Sequence, residues 1–236
     1  MIDRSFLEKI EEMAKTEIIT VDDRRYSSAP IHAVLDPQPK PITVRTLSSV
    51  ISYLKANPDG LAISDLIVYI AGPEKVSLCD CLNKEWDQRD IYLEASPLLR
   101  KFPFGTYLPV EQFIIGLQSY FVQDETTVQI IKIVGNLTEG KTVNFNDDGV
   151  TQQVTAKTGI AKVENVPVPS PVLLVPFRTF LEVEQPKSRF IFRIKSGADS
   201  PMCVLMEADG GAWELEAVKN IAAWFSERNN EVTILD

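Results

Sequence analysis

Residues 135–150 read GNLTEGKTVNFNDDGV, and the parsing of this stretch decides the fold. Its first eight residues satisfy the phosphate-loop pattern G-x-x-x-x-G-K-[ST]. Gly135, Gly140, Lys141 and Thr142 stand at the required positions, and an apolar run from Val128 to Val134 leads in. A working phosphate loop opens a helix, whose N-terminal amides and dipole hold the phosphates. The residues that follow, VNFNDDGV, read instead as a short alternating strand, an Asp-Gly turn and a second strand. The stretch therefore points away from a parallel nucleotide-binding sheet and towards antiparallel pairs. A nucleotide-binding enzyme built on Gly135, Gly140, Lys141 and Thr142 stands as the alternative.

Strand signals continue downstream. Val150 to Ala156, Val172 to Val183, Phe190 to Lys195 and Met202 to Ala208 all read as strands. Alternation is cleanest in Leu173, Val175, Phe177, Leu181 and Val183, and in Phe190, Phe192 and Ile194, which predicts these as the buried face. ENVPVPSP (164–171) reads as a proline-rich connection, and Gln185-Pro186-Lys187-Ser188 as a hairpin turn. Residues 141–208 are thus expected to form one antiparallel sheet.

Upstream, helices and strands come in groups. A first helix carries Phe6, Leu7, Ile10, Met13 and Ala14 at helical spacing, with Asp3 or Ser5 as cap and Glu8 in capping-box register. Thr46 caps a second, with Leu47, Val50, Ile51 and Leu54 inward and Asn57-Pro58-Asp59-Gly60 ending it. Leu66–Ala71, Val76–Leu82 and Ile91–Ala95 read as an antiparallel meander. Pro109 opens a third helix, bearing Val110, Phe113, Ile114, Leu117 and Phe121. In 125–134, β-branched residues favour a strand while the spacing of Val128, Ile131 and Val134 favours a helix; helix is preferred. Trp213 to Arg228 forms a closing helix with Leu215, Val218, Ile221, Ala222 and Phe225 inward. Glu231 to Leu235 is a final short strand. It is set beyond a polar spacer that would let it pair with its own sheet or a neighbour's edge. The pattern is α+β: antiparallel sheets with about four helices packed on them. Residues 1–125 form an N-terminal α+β region and 126–236 a C-terminal sheet with its closing helix, or the two make one continuous domain.

Composition narrows the function classes. At 236 residues and 44% hydrophobic, the chain can bury a sizeable core. No apolar run is long enough to span a bilayer, and the acidic N-terminus is not a signal peptide; a cytoplasmic protein is expected. The net charge of −9 argues against duplex nucleic acid and anionic membranes as partners. Within Ser188–Lys195 (SRFIFRIK), Arg189, Arg193 and Lys195 alternate with Phe190, Phe192 and Ile194. Such a strand offers cations to single-stranded nucleic acid, but the aromatics face the opposite side and read as core.

Sites with sharper chemistry are sparse. Cys79 and Cys81 share a strand face, and with Cys203 they read as buried thiols rather than metal ligands. His32 is the only histidine, and no G-x-S-x-G elbow accompanies it. Asp80, Glu85, Asp87, Asp90 and Glu94 surround Trp86 and read as solvated strand faces and turns. Met202–Glu207 (MCVLME) resembles a magnesium-holding strand but lacks the crossover helices of a parallel sheet. No cofactor and no metal are expected.

Three segments, DGVTQQVTAKTGI (148–160), VPVPSPVLLVPFRTFLEVEQPKSRFIFRIK (166–195) and EADGGAWELEAVKNI (207–221), resemble the YfdQ-like proteins encoded by bacteriophages and prophages. The likeness spans roughly 60–225, including the Arg89-Asp90 meander and the FIIGLQSYFV helix. The resemblance implies a phage genome and bacterial cytoplasm, and it carries no catalytic residue across. The expectation is a non-enzymatic phage protein that forms a homo-oligomer and acts by binding a host protein, its own copies or a sequestered small molecule.

Overall fold

The computed structural model describes residues 4–21, 24–28, 40–82, 88–138, 143–147, 152–158, 162–168, 170–197, 201–229 and 231–236. The chain divides into two compact units, Met1–Gln38 and Pro39–Asp236. The boundary expected at 125/126 falls inside the second unit, within a helix.

In the first unit, helix α1 (Arg4–Ala14) precedes an antiparallel hairpin of β1 (Ile18–Val21) and β2 (Arg24–Ser27). Glu8 accepts from Arg4 at 3.1 Å, one turn away. The apolar stripe of α1 forms as its spacing predicts, yet Phe6, Leu7 and Ile10 are exposed.

The second unit holds three sheets. Strands β3 (Ile42–Val44), β4 (Leu66–Gly72), β5 (Lys75–Asp80) and β6 (Ile91–Ala95) belong to the first. β4, β5 and β6 pair antiparallel as a meander, while β3 joins β6 in parallel. The terminal strand, β14 (Thr233–Leu235), adds in parallel to β4 of its own chain, giving the order β14-β4-β5-β6-β3. Helices α2 (Leu47–Ala56) and α5 (Ala212–Arg228) cover this sheet through Leu47, Val50, Leu54, Ile221 and Phe225. Leu215, expected inward on α5, is 69% exposed. The buried stripe of α5 runs instead through Ala217, Ile221 and Phe225 at four-residue spacing.

α2 is capped twice. Thr46 accepts from the Ser49 amide. From far along the chain, the Glu182 carboxylate accepts from the Leu47 and Ser48 amides, each at 2.8 Å, and from the Ser48 hydroxyl. An acid at a helix N-terminus satisfies orphan donors and the dipole together. Asn57 ends the helix at φ 41°, donating its amide to Tyr53 O at 2.8 Å.

The second sheet has the order β11-β12-β13-β7, all antiparallel: β7 (Leu108–Pro109), β11 (Val172–Leu174), β12 (Ser188–Lys195) and β13 (Met202–Glu207). Helices α3 (Val110–Tyr120) and α4 (Glu125–Thr138) pack on it through Phe113, Leu117, Phe121, Ile130 and Val134. The ambiguous stretch 125–134 is thus helical. Asp124 caps it, accepting from the Thr127 amide at 2.8 Å, and this local signal outweighs the β-branched content.

The third sheet, β10-β9-β8, consists of β8 (Val143–Asp147), β9 (Gln152–Thr158) and β10 (Lys162–Val168). The described strands between residues 141 and 208 therefore fall into two antiparallel sheets, not one. The proline-rich 164–171 is largely strand: Pro167 sits in β10 opposite Gln153, where an edge position tolerates the missing donor.

The expected strand 172–183 ends after Leu174. Pro176 supplies no ladder donor, and the chain turns to bond the end of α3. There Val122 N donates to Val175 O at 2.8 Å and Phe177 N to Tyr120 O at 2.9 Å. The alternation in this segment is real, but up to Leu181 its faces are reversed; Val183 alone of the expected inner face is buried. Val172, Leu174, Pro176, Arg178 and Phe180 are buried, while Leu173 and Leu181 are exposed.

Candidate functional site

That reversal places an arginine on the inner face. Arg178 is only 6% exposed. Its backbone is fixed by Gln185, whose side-chain oxygen accepts from the Arg178 and Thr179 amides at 3.0 and 3.3 Å. The Gln185 amide nitrogen donates in turn to Phe180 O and Val183 O at 2.9 and 3.2 Å. Gln185, expected in a hairpin turn, is thus the buried hub of the loop that presents Arg178. The Thr179 hydroxyl donates to Pro73 O, tying the loop to the β4–β5 turn.

The guanidinium is held on every side. Nη1 meets Glu207 Oε1 at 2.6 Å, and Nη2 donates to Ser188 Oγ. Its carbon lies 4.3 Å from the Trp213 ring centroid, 5.4 Å from Phe190 and 5.8 Å from Phe104. Nε is buried without an acceptor. Burial pulls the Arg178 pKa down, while Glu207, Asp209 and Glu214 push it back up. A buried guanidinium with one unsatisfied donor, paired to a carboxylate that is itself exposed, is a poor way to gain stability.

Arg178 lines a cleft of about 360 Å³. One wall is the 101–104 segment, docked on β13 by a 2.8 Å bond from Gly105 N to Leu205 O. The others are Tyr120 at the end of α3, Pro73 and Glu74 in the β4–β5 turn, Glu207, and Trp213 and Glu214 at the start of α5. Gly210 and Gly211, at φ 65° and 81°, turn β13 into α5. Two consecutive left-handed residues are a conformation for glycine, and they set Trp213 against the guanidinium. Lys101 is paired with Glu74 at 2.6 Å. The size and the aromatic lining with a few polar groups suit a small ligand.

A second, shallower groove of about 730 Å³ adjoins the cleft, sharing Tyr120 and Phe177 with it. It is lined by Leu98, Ile115 and Leu181, which are 76%, 54% and 69% exposed.

The candidates named from sequence lie elsewhere. Gly135 is in α4, and Gly140, Lys141 and Thr142 lie outside the described residues, followed by strand β8. Arg193 bonds Ser170 Oγ at 2.7 Å and Phe192 O at 3.0 Å. Lys195 sits 3.8 Å over the Tyr107 ring, and Arg189 is exposed on β12. Phe190, Phe192 and Ile194 are buried on the opposite face, as the alternation predicts. MCVLME is β13, antiparallel to both neighbours.

Cys79 and Cys203 are buried, but Cys81 falls past the end of β5 and is exposed. Asp80 accepts from Tyr92 Oη at 3.2 Å, and Glu94 pairs with Lys75 at 2.8 Å. His32, Glu85, Trp86 and Asp87 lie outside the described residues. No group of metal-ligating side chains gathers among the described residues, and no described helix is long and apolar enough to cross a membrane.

The sequence reading missed Arg178 entirely. The signal was there in VPFRTFLEV, where a lone arginine shares a register with Val172, Leu174 and Phe180. The chain matches no protein-family model, no curated protein and no solved structure.

Proposed function

We propose that this chain is a non-enzymatic binding protein of phage or prophage origin whose ligand site is the cleft around Arg178. One observation carries the reading: a buried, fully oriented guanidinium clamped against Trp213 inside an aromatic cleft. Such an arrangement has its rotamers locked before any ligand arrives, which cuts the entropic cost of binding. Glu74 and Glu207 are held by cations at 2.6 Å rather than poised against a nucleophile, which supports binding over catalysis.

The two alternatives fit less well. A phosphate loop leads from a strand into a helix, whereas here the motif begins at Gly135 inside α4 and is followed by strand β8. Arg193 and Lys195 already have partners within the chain, so a single-strand platform would have to break them first.

Self-association is the second part of the proposal. It is supported by the apolar groove at Leu98, Ile115 and Leu181, since soluble monomers rarely expose contiguous apolar surface of that kind. β14 pairs within its own chain, so the groove rather than an exchanged strand is the contact to test.

Native mass spectrometry of protein taken from bacterial cytosol tests both parts. A small-molecule adduct present in the wild type and lost in Trp213→Ala supports the binding site. Chemical turnover of that molecule by the purified protein would contradict the non-enzymatic reading. A strictly monomeric mass at micromolar concentration would remove self-association.

A further inference from the structure

We infer that the cleft selects ligands that carry a positive charge beside an aromatic or apolar body, the chemistry of arylalkylamines and of guanidinium-bearing side chains. This rests on the reading of the cleft as the ligand site. The charges that line it decide the sign. Three carboxylates, Glu74, Glu207 and Glu214, face two cations, Lys101 and Arg178. Both cations are neutralised at 2.6 Å, Lys101 by Glu74 and Arg178 by Glu207. Glu214 is exposed and has no ion-pair partner among the described residues, and Asp209 adds a further negative charge near Arg178.

An anionic ligand would find both described lining cations already paired with carboxylates and would meet Glu207 and Glu214. A cationic ligand would meet surplus carboxylate and the half-buried rings of Tyr120 and Phe177, while Arg178 already lies over Trp213 and Phe104. The negative quadrupole of those rings attracts a cation and does nothing for an anion. Arg178 lines the same space, more than nine-tenths buried and with Nε unpaired. Glu207 already meets its charge, so the free N–H calls for an acceptor atom or a π face on the ligand's body rather than a second counter-ion.

Calorimetric titration with two indoles of similar size but opposite charge separates the possibilities. The probes are tryptamine and indole-3-propionate, at pH 7 and low salt, against the wild type and Glu214→Gln. Tryptamine is expected to bind at least about tenfold more tightly than indole-3-propionate, the ratio a single desolvated cation–π contact supplies. Glu214→Gln, a change at an exposed side chain, is expected to weaken tryptamine several-fold and to leave or improve indole-3-propionate. Equal or tighter binding of the anion overturns the charge class while leaving the cleft as a ligand site. Binding of neither probe, in protein with native circular dichroism, overturns both the charge class and the ligand site.

Discussion

Gly116 sits in the interior of α3, where alanine is ordinarily preferred by about 1 kcal/mol. Here the sign should reverse. A β-carbon at position 116 would lie 2.6 Å from Phe102 Cε2 and 3.0 Å from Cδ2. Carbon pairs are comfortable near 3.5–4.0 Å, so the intrusion is roughly an ångström. Phe102 cannot swing aside freely. Its ring is packed against Phe104 and Phe121 at 5.2 Å, Phe113 at 5.8 Å and Tyr120 at 6.3 Å. Overpacking of this kind costs roughly 1–3 kcal/mol. Set against the propensity gain, Gly116→Ala should destabilise by about 1 kcal/mol, and by up to about 2 kcal/mol. Urea denaturation followed by circular dichroism would show the midpoint falling with an unchanged slope. Phe102→Leu should relieve part of the clash, so the double variant should be more stable than the sum of the singles by about 1 kcal/mol. Gly116→Ala as stable as the wild type, or more so, would refute the packing described for the 101–104 wall of the cleft.

Glu182→Ala should cost about 2 kcal/mol by the same urea assay, because it removes three charge-assisted bonds and a favourable charge from the α2 N-terminus; a loss under ~0.5 kcal/mol would mean water replaces the carboxylate without penalty. Alkaline pH should unfold the protein progressively. Burial first, then Asp59, pushes Tyr53 up to about 12, burial and then Asp80 push Tyr92 up to about 12, and burial pushes Cys203 up to about 12. Each group is favoured neutral by the fold, so its contribution is complete below the ordinary values of 9 for the thiol and 10 for the phenols and fades towards pH 12. Tyr53→Phe should flatten that decline in a pH series of urea midpoints. Ellman's reagent should label one of the three thiols in the native protein, exposed Cys81, and reach Cys79 and Cys203 only on unfolding; prompt labelling of all three would contradict the two cores.

Much of the architecture was legible in short-range signals. Thr46, Asn57 and Pro109 mark helix ends through local geometry, and Phe190, Phe192 and Ile194 declare their face because charged residues fill the alternate positions. The segment 172–183 could not be read the same way. Both of its faces are apolar, so the choice of inner face lies with residues far along the chain: Ser188, Glu207 and Trp213, which gather round Arg178. The parallel additions of β3 and β14 are equally non-local, and neither strand carries a pattern that names its partner. The cleft was invisible for the same reason. Its polar residues come from six separated places, and none forms a spaced motif. The spaced motif that the sequence does offer, Gly135 to Thr142, begins in a helix and runs on to a strand.

Binding at the cleft around Arg178 is tested most directly by backbone-amide chemical-shift mapping during a tryptamine titration of the isotope-labelled protein. Saturable shifts are predicted at Lys101, Phe102, Phe104, Tyr120, Phe177, Arg178, Glu207 and Glu214, together with the indole N–H of Trp213. Saturable shifts gathered on another face, or none at saturation with either tryptamine or indole-3-propionate, would contradict it.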